Sequence, residues 1–247
     1  MLYRTLVSLG AAVLALALAA PALAVRVHVR VEGAKVNLYG ATEPRLTPVT
    51  GTITPPSGSD VTVNAETPFG ALEAASRAGE LFYRVEAFSF GPYVAQIGRL
   101  PGTATTGWVY KVNGISPPVA ATAYVLEEGD RVLWYHATFG ATGGPKTLVL
   151  RASGVTGCAA GSGGCQTTLR CIRAVLQDDN GRQTRAAGAR FLVDGRLRPG
   201  RNGEICPRGH WHSVRANLAG AVRSQVVLNP RRSFSSGAGG GALAGRA

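Results

Sequence analysis

Residues 107–137 constrain the fold more than any other stretch, because they contain two segments rich in alternating β-branched and aromatic residues. The segments are residues 108–112 and 131–135. A period of two suits a half-buried strand, and Asn113-Gly114 supplies the positive φ angles of a tight turn. Pro117 and Pro118 cannot donate to a sheet, so any pairing directly after that turn is expected to be short.

Residues 1–24 have the features of a signal peptide. Arg4 precedes an apolar run over residues 6–20, and Ala22-Leu23-Ala24 has the small-residue pattern that signal peptidases cut. The alternative is a membrane span, but the run has about 15 apolar residues where a span needs about 20. We expect cleavage before Val25, a secreted and extracellular protein that can associate with the cell surface, and no transmembrane span in the mature chain.

Residues 25–139 are predicted to form an α+β domain. Residues 25–31 alternate valine with Arg or His, so one face should enter a core while the other, including His28, meets solvent. Thr67 and Pro68 have the residue types of a helix start, and Gly79 can end that helix in a left-handed conformation. Strand-like segments flank the helix on both sides, a pattern typical of a helix packed on a sheet.

A second domain is predicted after a linker at residues 140–145. Residues 146–229 contain several strand-like segments at short spacing without a helical period, which favours an all-β sandwich. Residues 230–247 contain Gly and Ser runs and few apolar side chains, so we expect a disordered tail.

Charge divides the chain. Residues 25–139 carry 9 basic and 10 acidic side chains, whereas residues 140–247 carry 16 basic and 4 acidic ones. In an exported protein such a field favours anionic envelope polymers over nucleic acid. The arginines are scattered, so an ordinary solvated surface is the alternative.

The four cysteines lie in the second half, and in an exported chain they imply disulfides with three connectivities open. We favour Cys158–Cys165, which closes a short loop, and Cys171–Cys206, which joins two strands. A zinc site is the alternative, but the chain has no Cys-x-x-Cys pair.

No catalytic motif is evident, so the sequence predicts a protein that is not an enzyme and has no cofactor or metal. The nucleophile elbow, the His-Glu-x-x-His helix and the phosphate-binding Gly-rich loop are all absent from the sequence. Glu127, Glu128 and Asp130 fit a turn between strands. His210 and His212 would share a strand face and could hold a metal for a hydrolase, but the sequence indicates no third ligand.

Aromatic residues are the strongest site candidates. Trp108 and Tyr110 are two residues apart and share a strand face, and Trp134 lies on a strand expected to be close to them. A filled core is the alternative, since aromatic side chains dominate burial in most domains.

Three motifs resemble the bacterial transcobalamin-like C-terminal domain family, over about residues 25–139. They are Gly-Trp-Val-Tyr-Lys-Val-Asn-Gly at 107–114, Thr-Pro-Phe-Gly-Ala-Leu-Glu-Ala-Ala at 67–75 and Gly-Pro-Tyr-Val-Ala-Gln-Ile at 91–97. The resemblance implies a β-grasp-like arrangement and a small-molecule site. As its ligand-binding residues we predict Phe90, Tyr93, Trp108, Tyr110 and Trp134. Cobalamin or a related corrinoid would be a ligand, not a catalytic cofactor.

Residues 146–229 are loosely similar to the immunoglobulin-like or prealbumin-like modules of secreted bacterial proteins, through residues 188–195, 214–216 and 220–224. Together these observations predict a secreted, non-enzymatic binding protein whose ligand is a corrinoid or another flat molecule. The alternative is an envelope structural or adhesion protein that contacts proteins, glycans or anionic polymers. A cavity beside Trp108 and Tyr110 would favour the first hypothesis, and a filled core would favour the second.

Overall fold

The computed structural model describes residues 24–139, 144–158 and 165–229, and for residues 153–158 and 165–170 it describes the main chain alone. The predicted signal peptide and tail therefore lie outside the described residues, apart from Ala24. The described residues lie mostly in strands or irregular segments, with one α-helix of 12 residues among them. No helix among the described residues has the length and apolar character needed to cross a membrane.

The first half contains eleven strands and one helix. They are β1 (Val27–Glu32), β2 (Asn37–Tyr39), β3 (Arg45–Leu46), β4 (Gly51–Ile53), β5 (Ser57–Gly58), β6 (Val61–Val63), α1 (Pro68–Gly79), β7 (Tyr83–Phe88), β8 (Gly91–Ile97), β9 (Leu100–Pro101), β10 (Thr106–Val112) and β11 (Arg131–Thr138). The main sheet has the order β10-β11-β1-β2, and β3 also pairs with β1. Strands β5, β7, β8 and β9 form a second sheet, and β4 pairs with β6.

The second half is built from strands alone within the described residues. They are β12 (Thr147–Cys158), β13 (Cys165–Gln177), β14 (Gln183–Arg185), β15 (Arg190–Val193), β16 (Arg196–Arg198), β17 (Glu204–Ile205), β18 (Ser213–Asn217) and β19 (Val227–Leu228). One sheet has the order β12-β13-β14 with β17 also on β13, and the other has the order β16-β15-β18-β19. Leu148 and Ile172 of the first sheet share a core with Phe191 and Val214 of the second.

The predicted α+β fold class with a β-grasp-like first domain is wrong. The protein is mostly β and sandwich-like, with one twelve-residue helix in the part of the chain that the structure describes. That helix packs mainly against β1, β3 and β11, and Tyr83 of β7 donates a hydrogen bond to Glu73 of the helix at 2.6 Å. The strands around it pair into three separate sheets, not one mixed sheet. The helix signal at Thr67-Pro68 was strong, but one helix does not determine the arrangement of eleven short strands.

Local signals located α1 and the turn after β10 correctly. The Oγ1 atom of Thr67 accepts a hydrogen bond from the Gly70 N–H at 3.1 Å and caps the helix. Asn113 and Gly114 have φ angles of 52° and 84°, as a tight turn requires. The left-handed residue that ends α1 is Glu80, however, not Gly79.

The polar face of β1 is buried, contrary to the prediction that it meets solvent. Arg30 and Glu32 are 3% and 1% exposed, and His28 is half-buried with its Nδ1 atom 2.8 Å from the Glu43 carbonyl oxygen. The second half covers this face, because Arg215 and Arg223 both contact the Glu32 carboxylate. The two halves therefore share a buried ionic contact. The predicted boundary at residues 140–145 stays a prediction, since residues 140–143 lie outside the described residues.

Candidate ligand-binding cavity

A cavity of about 550 Å³ lies beside β10, the edge strand of the main sheet. Its walls come from β8, β10 and β11, from residues 116–121, and from Phe69 at the start of α1. Most of this lining is aromatic or aliphatic. The cavity therefore offers an apolar surface at the border between two sheets.

All five aromatic residues predicted for the site line this cavity, namely Phe90, Tyr93, Trp108, Tyr110 and Trp134. Trp108 and Trp134 are each 2% exposed and form the inner wall, whereas Phe90 is 72% exposed at the turn between β7 and β8. The fold thus brings together residues that are up to 44 positions apart, 134 − 90 = 44. Ligand binding by these residues stays a prediction.

The polar atoms of the three inner rings are held by main-chain carbonyl groups. The indole N–H of Trp108 donates to the Leu100 oxygen at 2.8 Å, and that of Trp134 donates to the Pro68 oxygen at 3.0 Å. The Tyr110 hydroxyl donates to the Val119 oxygen at 2.8 Å. Because these donors are satisfied, the rings present apolar surface to the cavity and are fixed in orientation.

Sequence reasoning missed Phe69, Tyr135 and Phe139, which also line the cavity. Gly107 was the sequence signal for this part of the cavity, because glycine within a strand often marks a place where another group approaches the main chain closely. A Cβ atom on Gly107 would lie 2.4 Å from the Tyr93 hydroxyl oxygen and 3.2 Å from Cε2 of Phe139. The missing side chain at Gly107 therefore lets two aromatic rings close over β10.

The mouth of the cavity carries a further aromatic cluster. Phe88 stacks on Phe90 with ring centroids 5.2 Å apart, and it meets Tyr93 edge-on at 6.1 Å. Phe88 and Phe139 are 47% and 45% exposed. The apolar surface thus continues from the inner wall to the outside of the protein.

An ion pair between a buried lysine and a partly exposed aspartate lies at the polar end of the cavity. Lys111 has no exposed side-chain surface, and its Nζ atom is 3.0 Å from Oδ1 of Asp179, a cavity-lining residue. Nζ also donates to the Asp178 carbonyl oxygen at 3.2 Å. Burial lowers the pKa of Lys111, while Asp179 opposes that shift. Since β10 and Asp179 belong to different halves of the chain, this end of the cavity depends on both.

Burial also raises the pKa of Tyr110 to about 12, with a smaller contribution from Tyr124. The pKa of Tyr135 is raised as well, chiefly by burial. Both phenols are therefore neutral at physiological pH. The lining combines neutral aromatic rings with one carboxylate, which suits recognition of an apolar ligand.

The other sequence-predicted groups lie away from this cavity. Asp130 is 8% exposed, and its carboxylate accepts from the Asn113 side chain at 2.7 Å and from the Glu127 N–H at 2.9 Å. These bonds stabilise a turn, as expected. His210 and His212 precede β18, so the prediction that they share a strand face is wrong. Both imidazoles are exposed, and Nδ1 of His212 is 3.6 Å from Asp194.

The predicted Cys171–Cys206 disulfide is confirmed, and it links β13 to the residue after β17. Among the described residues, one group has three potential metal-ligand atoms close together, and it consists of these two cysteines and Glu204. Both of its sulfur atoms belong to the disulfide. Cys158 and Cys165 are register partners in the β12–β13 pair, but their sulfur atoms lie outside the described residues.

The positions of the cavity residues coincide with a region of recognisable sequence similarity. Residues 65–138 match the model of the family described as Domain of unknown function (DUF4430). This family is transcobalamin-like, so the match suggests a transcobalamin-like domain over these residues. The matched residues span α1 and β7–β11 and include all five predicted aromatic residues. No curated protein matches the chain. The wider resemblance over residues 25–64, and the looser one over residues 146–229, stay predictions.

Proposed function

We propose that the transcobalamin-like domain binds a flat, largely apolar ligand, with a corrinoid as the first candidate, and that the protein is a secreted binding protein rather than an enzyme. The observation that carries this proposal is the aromatic cavity beside β10. Its volume of about 550 Å³ falls within the range of about 300–1,000 Å³ typical of small-molecule pockets. Tryptophan and tyrosine faces also favour stacking on planar rings.

A ligand larger than the cavity would still find apolar contact outside it. Phe90 and Phe139 extend the aromatic surface beyond the inner wall formed by Trp108 and Trp134. The ligand would then lie with one edge inside the cavity and the rest against the aromatic mouth. The Cys171–Cys206 disulfide supports action outside the cytoplasm, because disulfides persist in oxidising compartments.

The three tryptophans make the proposal testable by fluorescence. Trp108 and Trp134 line the cavity, whereas Trp211 belongs to the core of the second half. We expect cobinamide, cobalamin or protoporphyrin IX to quench the protein saturably. Trp108→Phe and Trp134→Phe should each reduce the quenching, and Trp211→Phe should retain it. Titration of N-acetyltryptophanamide corrects for light absorbed by the ligands.

Equilibrium dialysis with the same three ligands provides a second measurement that does not depend on a tryptophan. Saturable retention that Phe90→Ser weakens would support the proposal, since Phe90 is exposed and its loss should not unfold the protein. Absence of saturable binding by all three ligands at millimolar concentration would refute it. Quenching lost equally in Trp211→Phe would place the ligand elsewhere.

The second candidate function is adhesion to an anionic envelope polymer, and one groove in the second half favours it. Arg196, Arg198 and Arg208 line a groove of about 680 Å³, and none of them forms an ion pair with another described residue. Polyphosphate is a suitable probe. Arg198→Gln should weaken its binding and lower the salt dependence, because each phosphate contact releases counterions. Arg99→Gln, an exposed arginine of the first half, is the control, and equal effects of both would refute a specific groove.

A further inference from the structure

Two residues of β10 direct their main-chain N–H and C=O groups away from β11, the one strand that pairs with β10 among the described residues. Asn113 N–H donates to Arg131 of β11, whereas Val112 exchanges both of its main-chain hydrogen bonds with Ile115, on the opposite side. In an antiparallel pair the main-chain N–H and C=O groups of successive residues point alternately toward the partner strand and away from it. Trp108 and Tyr110 have the same parity as Val112, so their N–H and C=O groups point away from β11.

Both ends of this outward edge are closed. The Thr106 oxygen accepts from the Thr103 N–H at 2.8 Å, and Val112 is paired with Ile115 at 2.9 Å in both directions. Between them, the main-chain groups of Trp108 and Tyr110 have no hydrogen-bond partner among the described residues. The free edge is therefore a short window of two N–H and two C=O groups.

The cavity opens on this window. It is lined by the consecutive residues Trp108, Val109 and Tyr110, whose side chains alternate between the two faces of the sheet. Trp134 and Tyr135, again on opposite faces, line it as well. A space that touches both faces must lie at the strand edge. Because Trp108 is only 2% exposed, its unpaired main-chain groups are poorly hydrated, and burying such groups without a partner is unfavourable.

We propose that this window binds an extended peptide, which adds to β10 as a further strand inside the cavity. Donors and acceptors repeat along an extended chain at two-residue intervals of about 6.8 Å, which is the spacing of the groups on Trp108 and Tyr110. One peptide side chain would meet the aromatic face with Tyr110 and Trp134. The next would meet the face with Tyr135 and Asp179, so the peptide alternates apolar and polar residues.

The peptide would occupy the same cavity as the ligand of the proposed function, but its binding does not require that a flat ligand binds there as well. It is tested on the full chain with acetylated, amidated hexapeptides that alternate valine or phenylalanine with threonine or lysine. Amide hydrogen exchange is followed by NMR for each residue of β10. Saturating peptide should slow exchange at Trp108 and Tyr110 at least tenfold. Val109 and Lys111 are the internal controls, because their amides already bond to β11, and they should change less.

The matched control peptide carries the same side chains with N-methylated valine or phenylalanine amides. It should bind at least tenfold more weakly, since it lacks the donors that pair with the β10 oxygens. Equal binding of both peptides, or no slowing at Trp108 and Tyr110 with any peptide at millimolar concentration, would overturn the proposal. Peptide binding without quenching by planar ligands would instead reject the flat-ligand function, and quenching without peptide binding would reject the added strand.

Discussion

Replacement of Glu32 by glutamine should destabilise the protein strongly, because Glu32 is the central acceptor between the two halves. Its carboxylate, 1% exposed, accepts hydrogen bonds from Arg30 at 3.2 Å, from Arg223 at 2.9 and 3.2 Å, from Asn37 at 3.0 Å and from Arg215. The three guanidinium groups are themselves largely buried, with side-chain exposures of 4%, 14% and 19% for Arg30, Arg223 and Arg215.

The expected magnitude follows from that burial. Burial already lowers the pKa of Arg30 and of Arg215, so these cations depend on the nearby negative charge. Loss of one partner of a buried ion pair typically costs about 3–5 kcal/mol. For a chain of this size each kcal/mol lowers the melting temperature by about 2–4 °C, which gives a decrease of about 6–20 °C for Glu32→Gln.

Urea unfolding and differential scanning calorimetry measure this change directly. The matched control is Glu86→Gln, which breaks the Arg84–Glu86 ion pair of 3.0 Å between side chains that are 41% and 42% exposed. That control should cost no more than about 1 kcal/mol. A Glu32→Gln effect as small as the control would refute the reasoning. A double-mutant cycle with Arg223→Gln should show strong coupling between positions 191 residues apart in sequence.

Three further outcomes are expected. Replacing Cys171 and Cys206 by alanine should lower the free energy of unfolding by about 3–4 kcal/mol, because the disulfide joins residues 35 positions apart and restricts the unfolded chain. A loss below about 1 kcal/mol in urea unfolding would contradict this. Thr67→Ala should lower the free energy of unfolding by about 0.5–2 kcal/mol, because it removes the hydrogen bond to Gly70. Thr67→Ser should keep most of this stability, and equal decreases in melting temperature for the two variants would contradict the capping role. Because the pKa of Tyr110 is raised to about 12 in the folded state, the neutral phenol contributes stability below pH 10, and that contribution is lost as the pH rises to about 12. The Tyr110→Phe variant should therefore lose less stability than the native protein over this interval in urea unfolding. An unchanged pH dependence would argue against this role of Tyr110.

Residues close in sequence were predicted well. The start of α1 depends on a hydrogen bond between Thr67 and Gly70, three positions apart. The turn at Asn113-Gly114 depends on φ angles that these two residue types adopt readily. Alternating patterns likewise located β1, β10 and β11. Each of these features is governed by backbone sterics and short-range hydrogen bonds, which the local sequence contains.

The candidate cavity was only partly predictable. The shared face of Trp108 and Tyr110 follows from their spacing, and the cross-strand partner of Tyr110 is Trp134, with ring centroids 5.6 Å apart. The contributions of Phe69 and Asp179 could not be foreseen, because they come from a helix start and from the other half of the chain. The free edge of β10 likewise depends on which strands pair, and sequence periodicity does not specify that.

The sequence by itself determined the strand character of most segments, the helix α1 and the tight turn, because these depend on interactions within a few residues. Tertiary structure decided the mostly β architecture, the burial of Glu32 and the position of the cavity. An alternating strand such as β1 has the same pattern whether its polar face meets water or a second half of the chain. The arginines that cover Glu32 lie more than 180 residues away, so their contact depends on the free energy of the whole fold.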